Sequence, residues 1–222
     1  VSIHHYTSLY GGNSTAPSFV ASNKFEHRFA KPFIGGNVKI GLDIHGSHRQ
    51  SNTNEIGRDL SRVNGTLQWG DLYRFSNGAQ IGFKAQAFTD LFVIAQDTNY
   101  STTQSAFSGA GAISLAWPLL AKNRLNQSII IEPVVQFEYA SQRDFSLPNE
   151  ESLYAEFDEA NLFELSRFPA PDRREVGLRA ATGLKFVSQT HDNAKLSAAI
   201  GQIYREKNEP DFSGSSGLQS QT

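Results

Sequence analysis

The chain has 222 residues, of which 39% are hydrophobic and 19% charged, with a formal net charge of −2 and no cysteine. The near-neutral charge argues against a nucleic-acid-binding protein, which needs a basic surface, and the absence of cysteine excludes disulfides and thiolate metal sites within this chain. The longest apolar runs, such as 92–95 and 129–131, are far shorter than the about 20 residues of a membrane-spanning helix.

Alternation of apolar and polar residues predicts a series of long β-strands. In 38–45, the apolar side chains occupy the even positions and mostly polar side chains occupy the odd ones, which is the period of a strand. The same pattern gives roughly nine strands, several of them longer than the usual about five or six residues. In chain order they lie at 2–9, 25–34, 38–45, 60–74, 79–93, 104–117, 129–139, 176–186 and 194–204.

The links between these strands are short at some places and long at others. Segments 76–78 (Ser-Asn-Gly) and 191–193 (His-Asp-Asn) have tight-turn chemistry, whereas 45–59, 96–104 and 142–174 are long and polar. Short turns at one rim and long loops at the other are typical of outer-membrane β-barrels. A soluble sandwich also has alternating strands. The polar faces here hold mainly uncharged residues, and a water-filled lumen tolerates these better than a sandwich surface would.

The predicted fold class is therefore all-β, an antiparallel transmembrane β-barrel. Residues 1–222 are expected to form part of a single barrel domain. The predicted strand count is odd, whereas bacterial barrels normally have an even number. The chain also begins at Val1 without a leader pattern and ends in the polar segment 214–222. We therefore expect an internal segment of a larger barrel.

The segment 142–174 is expected to be a long loop that folds inward. It holds too many large apolar residues for a solvated loop, among them Leu153, Tyr154, Phe157, Leu162, Phe163, Leu165 and Phe168. We expect a short helix at about 157–166. Its acidic residues could bind a divalent cation, but EF-hand spacing is missing, and a loop with internal ion pairs is the preferred interpretation.

Catalytic and metal-binding patterns are weak. Asp43, His45 and Ser47 alternate and therefore share one face of a strand, but a catalytic triad normally gathers its members from separate segments. A polar lumen face is the preferred interpretation. His4 and His5 are adjacent and point to opposite faces, so they cannot bind one metal together. No catalytic, cofactor-binding or metal-binding residue is predicted.

Spaced motifs resemble the LPS-assembly protein family (LptD, also called organic solvent tolerance protein). They are Ile131-Glu-Pro133, Leu147-Pro-Asn-Glu-Glu151, the segment FDEANLF at 157–163, Ser166-Arg-Phe168, Asp172-Arg173 and Gly177-Leu-Arg-Ala180. Further matches are Gly57-Arg-Asp59, Trp69, Asn77-Gly78, Trp117-Pro118 and Gly201-Gln202 with Tyr204. The signature residues that the resemblance assigns to the wall and its loop are Glu132, Pro133, Asn149, Glu150, Phe157, Asp158, Asn161, Leu162, Phe163, Arg167, Phe168, Asp172 and Arg173.

The resemblance implies transport of lipopolysaccharide (LPS) and its insertion into the outer leaflet of the bacterial outer membrane, without a cofactor or enzymatic activity. The implied partners are LPS, a plug lipoprotein inside the barrel, outer-membrane lipids, and periplasmic LPS bridge proteins that bind an N-terminal jelly-roll domain. That domain, the gate strands and the family's disulfide cysteines are expected outside this segment. The alternatives are another outer-membrane barrel, either a porin-like channel or a hydrolase, and a soluble carbohydrate-binding β-sandwich.

Overall fold

The computed structural model describes residues 1–6, 16–29, 32, 34–122, 128–142, 146–148, 150–152, 155, 160–189, 195–207 and 212. Within them the chain forms ten strands: β1 (Ser2–His5), β2 (Phe19–Phe29), β3 (Asn37–His48), β4 (Asp59–Arg74), β5 (Gln80–Ala95), β6 (Thr103–Ala116), β7 (Leu119–Lys122), β8 (Ser128–Ala140), β9 (Gly177–Gln189) and β10 (Lys195–Arg205). They form one antiparallel sheet in the order β1-β2-β3-β4-β5-β6-β8-β9-β10, and β7 pairs with β8. The all-β prediction is confirmed. The described residues contain no helix that is long and apolar enough to cross a membrane.

Three strands differ from the prediction. β1 ends at His5 rather than at residue 9, and residues 7–9 lie outside the described ones. β2 lies at Phe19–Phe29 rather than at 25–34, and it pairs with β3 along its whole length. It ends before Gly35 and Gly36, whose positive φ angles of 72° and 67° turn the chain. The short strand β7 was not predicted separately, because Pro118 interrupts the pattern, yet the register to β8 is the same on both sides of Trp117-Pro118.

The chain divides into two compact units. The first comprises Val1–Trp69, Gln86–Gly109 and Arg143–Pro148, and the second comprises Gly70–Ala85, Ala110–Gln142 and Asn149–Thr222. The first unit has a small apolar core of Leu60, Phe92, Ile94 and Leu147, against which Tyr100 packs. One apolar core cluster of the second unit consists of Val134, Leu162, Phe163 and Ala181.

The long strand β8 has one covered face and one open face. Gln136 and Glu138 on the covered face are 1% and 2% exposed, whereas Phe137 and Tyr139 on the open face are 60% and 59% exposed. The covered face carries residues 160–176, which follow β8 in the chain. Large apolar side chains are stable on an open face only if something other than water contacts them, and membrane hydrocarbon meets this need.

This arrangement predicts two classes of spin-label environment along β8 in the intact protein. Labels on the open face should collide with oxygen dissolved in lipid, and labels on the covered face should not, because successive side chains of a strand point to opposite faces. The labelled positions are Ile129, Ile131, Val135 and Phe137 for the open face and Glu132, Gln136 and Glu138 for the covered face. Equal oxygen accessibility of the two sets would contradict the membrane-facing assignment.

Candidate functional site

The covered face of the second unit holds a buried cluster of ion pairs between arginine and glutamate. Glu138 Oε1 accepts hydrogen bonds from Arg167 Nη1 at 2.7 Å and from Arg179 Nε at 2.8 Å. Glu175 accepts from Arg167 Nη1 at 3.1 Å and from Arg205 Nη2 at 2.9 Å. All five side chains are at most 5% exposed. We call these five residues the Arg–Glu cluster.

Strand register explains how three members of the Arg–Glu cluster meet. Glu138 in β8 is the cross-strand partner of Arg179 in β9, and Arg179 is in turn the partner of Arg205 in β10. The two neighbouring arginines would repel each other across the strands. Glu175, from the end of the loop, lies against both, 3.6 Å from Arg179 Nε and 2.9 Å from Arg205 Nη2. The loop therefore supplies the charge that makes this row of strand residues stable.

Side chains also hold the backbone of the loop. Its carbonyl oxygens accept hydrogen bonds in three places: Phe163 O from Lys84 Nζ (3.0 Å) and Gln136 Nε2 (3.1 Å), Leu162 O from Arg167 Nη2 (2.9 Å), and Leu165 O from Arg179 Nη2 (2.8 Å). The helix predicted at 157–166 is wrong over 160–166, where the chain forms turns and bends. These carbonyls bond to side chains instead of to helical N–H groups, and 157–159 lie outside the described residues.

Two glycines, Gly183 and Gly201, leave the space into which apolar side chains of the loop pack. We call this pair the glycine seat. Gly183 in β9 and Gly201 in β10 are cross-strand partners. A Cβ atom on Gly201 would lie 2.5 Å from both Leu162 Cδ2 and Thr182 O, and one on Gly183 would lie 3.2 Å from Phe163 Cζ. The loop can therefore pack this closely only because both strands have glycine at this level.

Asp172 connects the two ends of the loop. Its Oδ2 accepts hydrogen bonds from the backbone N–H groups of Glu150 (3.0 Å) and Glu151 (2.9 Å), and its Oδ1 accepts one from Ser152 Oγ (2.6 Å). Asp172 is 1% exposed. Arg173 Nη1 donates to the carbonyl oxygen of Asp172 at 3.1 Å. The buried carboxylate of Asp172 thus accepts three hydrogen bonds from residues 150–152.

A residue beyond β10 covers the loop from its other side. Phe212 stacks on Phe168, with ring centroids 4.4 Å apart and an angle of 9° between the planes. Arg205 Cζ lies 5.1 Å from the Phe212 centroid. Phe168 and Phe212 are 7% and 1% exposed, and Ala155 and Ile203 pack with them. Sequence reasoning did not single out Phe212, because its own neighbours give no pattern.

The predicted signature residues fall into three groups. Leu162, Phe163, Arg167, Phe168 and Asp172 are buried in the loop, Arg173 and Glu150 bond to Asp172, and Asn161 O accepts from Glu164 N at 3.0 Å. Glu132 and Pro133 lie apart from them in β8, where Glu132 is 3.6 Å from Lys185 Nζ and Pro133 opposes Leu184. Asn149, Phe157 and Asp158 lie outside the described residues.

The predicted signature set lacks several contributors to this site. They include Glu138, Gln136, Arg179, Arg205 and Glu175. The alternation of β8, β9 and β10 places the first four on the covered face, so a search for charged or amide residues in that phase would have found them. Glu175 precedes β9, so strand alternation does not predict which face its side chain lies on.

In the first unit, the three alternating residues of β3 do not form a catalytic relay. Asp43 Oδ1 accepts from Arg62 Nη2 at 3.1 Å and from Arg62 Nε at 3.3 Å. Ser47 Oγ is buried and has no hydrogen-bond partner among the described residues, so His45 is not placed to activate it. Within the part of the chain that the structure describes, no group of three or more His, Asp or Glu residues could hold a metal ion.

The two long links of the first unit are fastened to each other. Arg58 Nη1 lies 2.6 Å from Asp97 Oδ2, whose side chain is fully buried. Asn54 and Thr98 exchange two hydrogen bonds, of 3.2 and 3.0 Å. Glu55 N donates to Gln96 O at 2.7 Å. The links after β3 and β5 therefore form one structure and not two independent surface loops.

Comparison with known families gives one result. Residues 14–222 match the family model described as "LptD: LPS transport system D". The matched range includes every member of the Arg–Glu cluster, the glycine seat and Asp172. No curated protein matches the chain.

Proposed function

Because the chain belongs to the LptD family of LPS transport and assembly proteins, which are β-barrels of the outer membrane, we propose that it forms part of the barrel wall and carries a lumen loop that the wall needs for assembly. In this proposal 1–222 belong to a single barrel domain, and 142–174 fold into its lumen. The observation that supports the loop assignment best is the Arg–Glu cluster. Burying five charged groups is costly unless they are paired, so a disposable loop would not be anchored in this way.

The two faces of β8 support the assignment of the wall. The open face offers apolar side chains to acyl chains, and the covered face holds polar groups that bond to the lumen loop. A closed barrel also leaves no unpaired strand edge in the hydrocarbon. Short turns of outer-membrane barrels are periplasmic and long loops extracellular, so we place the β4–β5 turn in the periplasm and the loop after β8 at the outer end.

The partners in this proposal are LPS, a plug lipoprotein in the lumen, the surrounding outer-membrane lipids, and periplasmic LPS bridge proteins that act through an N-terminal domain outside this chain. The sequence has no P-loop or dinucleotide fingerprint, so the energy for transport comes from elsewhere in the proposed system. The proposed role is transport, in line with the LPS transport system that the family match names.

Deletion of 152–170 from the intact protein tests this function. We expect less LPS at the cell surface and higher permeability to large hydrophobic antibiotics, because the deletion removes Arg167 and leaves Glu138 and Arg179 without the loop. The control is Glu164→Ala, which changes an exposed side chain of the same loop and should leave both measurements normal. Normal values after the deletion would show that the loop is dispensable.

A further inference from the structure

β7 is a strand edge at the end of the sheet where the short turns lie. It continues β6 beyond Trp117-Pro118 and pairs with β8 from Leu119↔Ile131 to Lys122↔Ser128. On its other side, the β4–β5 turn reaches only as far as Trp117, whose Nε1 donates to Asn77 O at 3.2 Å. Among the described residues, β8 is the one strand that pairs with β7.

The hydrogen-bond phase shows which backbone groups face this edge. Trp117 N donates to Pro133 O at 3.1 Å, and residues that bond to a given neighbour alternate along an antiparallel strand. Leu119 and Ala121 therefore bond to β8. Leu120 and Lys122 direct their N–H and C=O groups away from β8, and Pro118 directs a carbonyl there without an N–H. The outer edge of β7 therefore offers two backbone N–H donors, those of Leu120 and Lys122.

The side chains around this edge are apolar on both faces of the sheet. Two apolar rows cross β7, β8 and β9 in register. The row on the covered face is Leu120, Ile130 and Val187, and the row on the open face is Leu119, Ile131 and Phe186. Leu119 and Leu120 are 51% and 62% exposed. One step further along the covered face, the pattern returns to the polar pair Glu132 and Lys185. Beside the edge, therefore, apolar side chains lie on both faces of the sheet.

We propose that β7 accepts an extended strand from a partner protein, with apolar side chains at alternate positions that continue the row Leu120, Ile130 and Val187. Such strand addition uses main-chain hydrogen bonds for affinity and side-chain contacts for specificity. Lipid acyl chains can cover the two leucines, but they cannot bond to the N–H and C=O groups of Leu120 and Lys122. Water can bond to these backbone groups but cannot cover the leucines, so of the three only a peptide strand satisfies both features of the edge.

A second copy of the same chain fits this edge less well. If two β7 strands paired about a two-fold axis through Leu120, Pro118 of one would oppose Lys122 of the other. Pro118 has no N–H to donate, so the pairing would lose a hydrogen bond at both ends. A partner without proline in this segment restores one of the two, the bond that its own N–H donates to Lys122 O. Pro118 also keeps the edge short, as is usual for exposed edges that avoid unspecific pairing.

Register-resolved photo-crosslinking in native membranes tests the proposal. A benzophenone amino acid is placed at Leu120 or at Lys122 of the intact protein, with Leu115, an exposed open-face residue of β6, as the control. We expect attachment points on one partner protein that are two residues apart for the two positions, and lipid adducts at Leu115. Three outcomes would each overturn the proposal. They are lipid adducts alone at both edge positions, attachment to a second copy of this chain, and attachment points that are not two residues apart.

The edge hydrogen bond is tested with two substitutions of one residue. Leu120→Pro removes the N–H that faces the edge, whereas Leu120→Ala keeps it. Both variants lose the leucine side chain and only the proline variant loses the N–H, so with the probe at Lys122 we expect a crosslink yield about tenfold lower in the proline variant than in the alanine variant. Equal yields would overturn the proposal. If the proline variant does not fold, the two-residue step in the otherwise unchanged protein still decides the question.

Discussion

Glu138→Gln in the intact protein will lower the free energy of unfolding by about 3–5 kcal/mol, because it leaves Arg167 and Arg179 buried without their shared carboxylate. Both guanidinium groups bond to the same oxygen of Glu138, at 2.7 and 2.8 Å, and their side chains are at most 1% exposed. Glu175 remains beside Arg167, Arg179 and Arg205, but one carboxylate cannot neutralise three buried guanidinium groups. The measurement is denaturant unfolding in lipid or detergent, followed by the electrophoretic mobility of the folded barrel.

Glu132→Gln is the matched control for this variant. Glu132 lies on the same strand and face, but its partner Lys185 is 3.6 Å away and the two side chains are 25% and 42% exposed. Exposed ion pairs contribute at most about 1 kcal/mol, so Glu132→Gln should change stability little. If the two variants lose the same stability, the Arg–Glu cluster does not anchor the loop. A double-mutant cycle of Glu138→Gln with Arg167→Gln should show coupling between the two residues.

The sequence predicts the wall better than the site. Period-two alternation correctly places Glu138 and Gln136 on one face of β8 and Phe137 on the other, because one buried face constrains every second residue of a strand. The apolar residues Leu162, Phe163 and Phe168 likewise indicate a loop that packs. These are local signals, and each can be read from residues close together in the chain.

Contacts that depend on strand register cannot be predicted from these local sequence signals. Arg179 meets Glu138 because β8 and β9 pair in one particular register across a link of 36 residues, 141–176, and Phe212 reaches Phe168 from the far side of β10. The helix predicted at 157–166 fails for the same reason over its described part. Local propensity cannot anticipate that Lys84, Gln136 and Arg179 satisfy the carbonyls that a helix would otherwise use.

Gly201→Ala tests whether the loop needs its glycine seat, and it should destabilise the protein by about 1–3 kcal/mol through overpacking. The added methyl group would lie 2.5 Å from Thr182 O, a backbone atom of the paired strand that cannot rotate away. It would lie equally close to Leu162 Cδ2. Leu162 can move away from the methyl group, so we expect the loop to shift, while the clash with Thr182 O requires a local adjustment of the β9–β10 pairing.

Gly46→Ala is the control, because a methyl group there would meet only Ser61 Oγ, at 3.7 Å. Both glycines lie inside strands, so the two variants gain similarly in strand propensity and differ mainly in the space available. Amide hydrogen exchange of 160–168 measures the shift of the loop. We expect faster exchange in Gly201→Ala and unchanged exchange in Gly46→Ala. Unchanged exchange in both variants would mean that the contact between Leu162 and Gly201 does not hold the loop in place, and the Arg–Glu cluster would then be sufficient as its anchor.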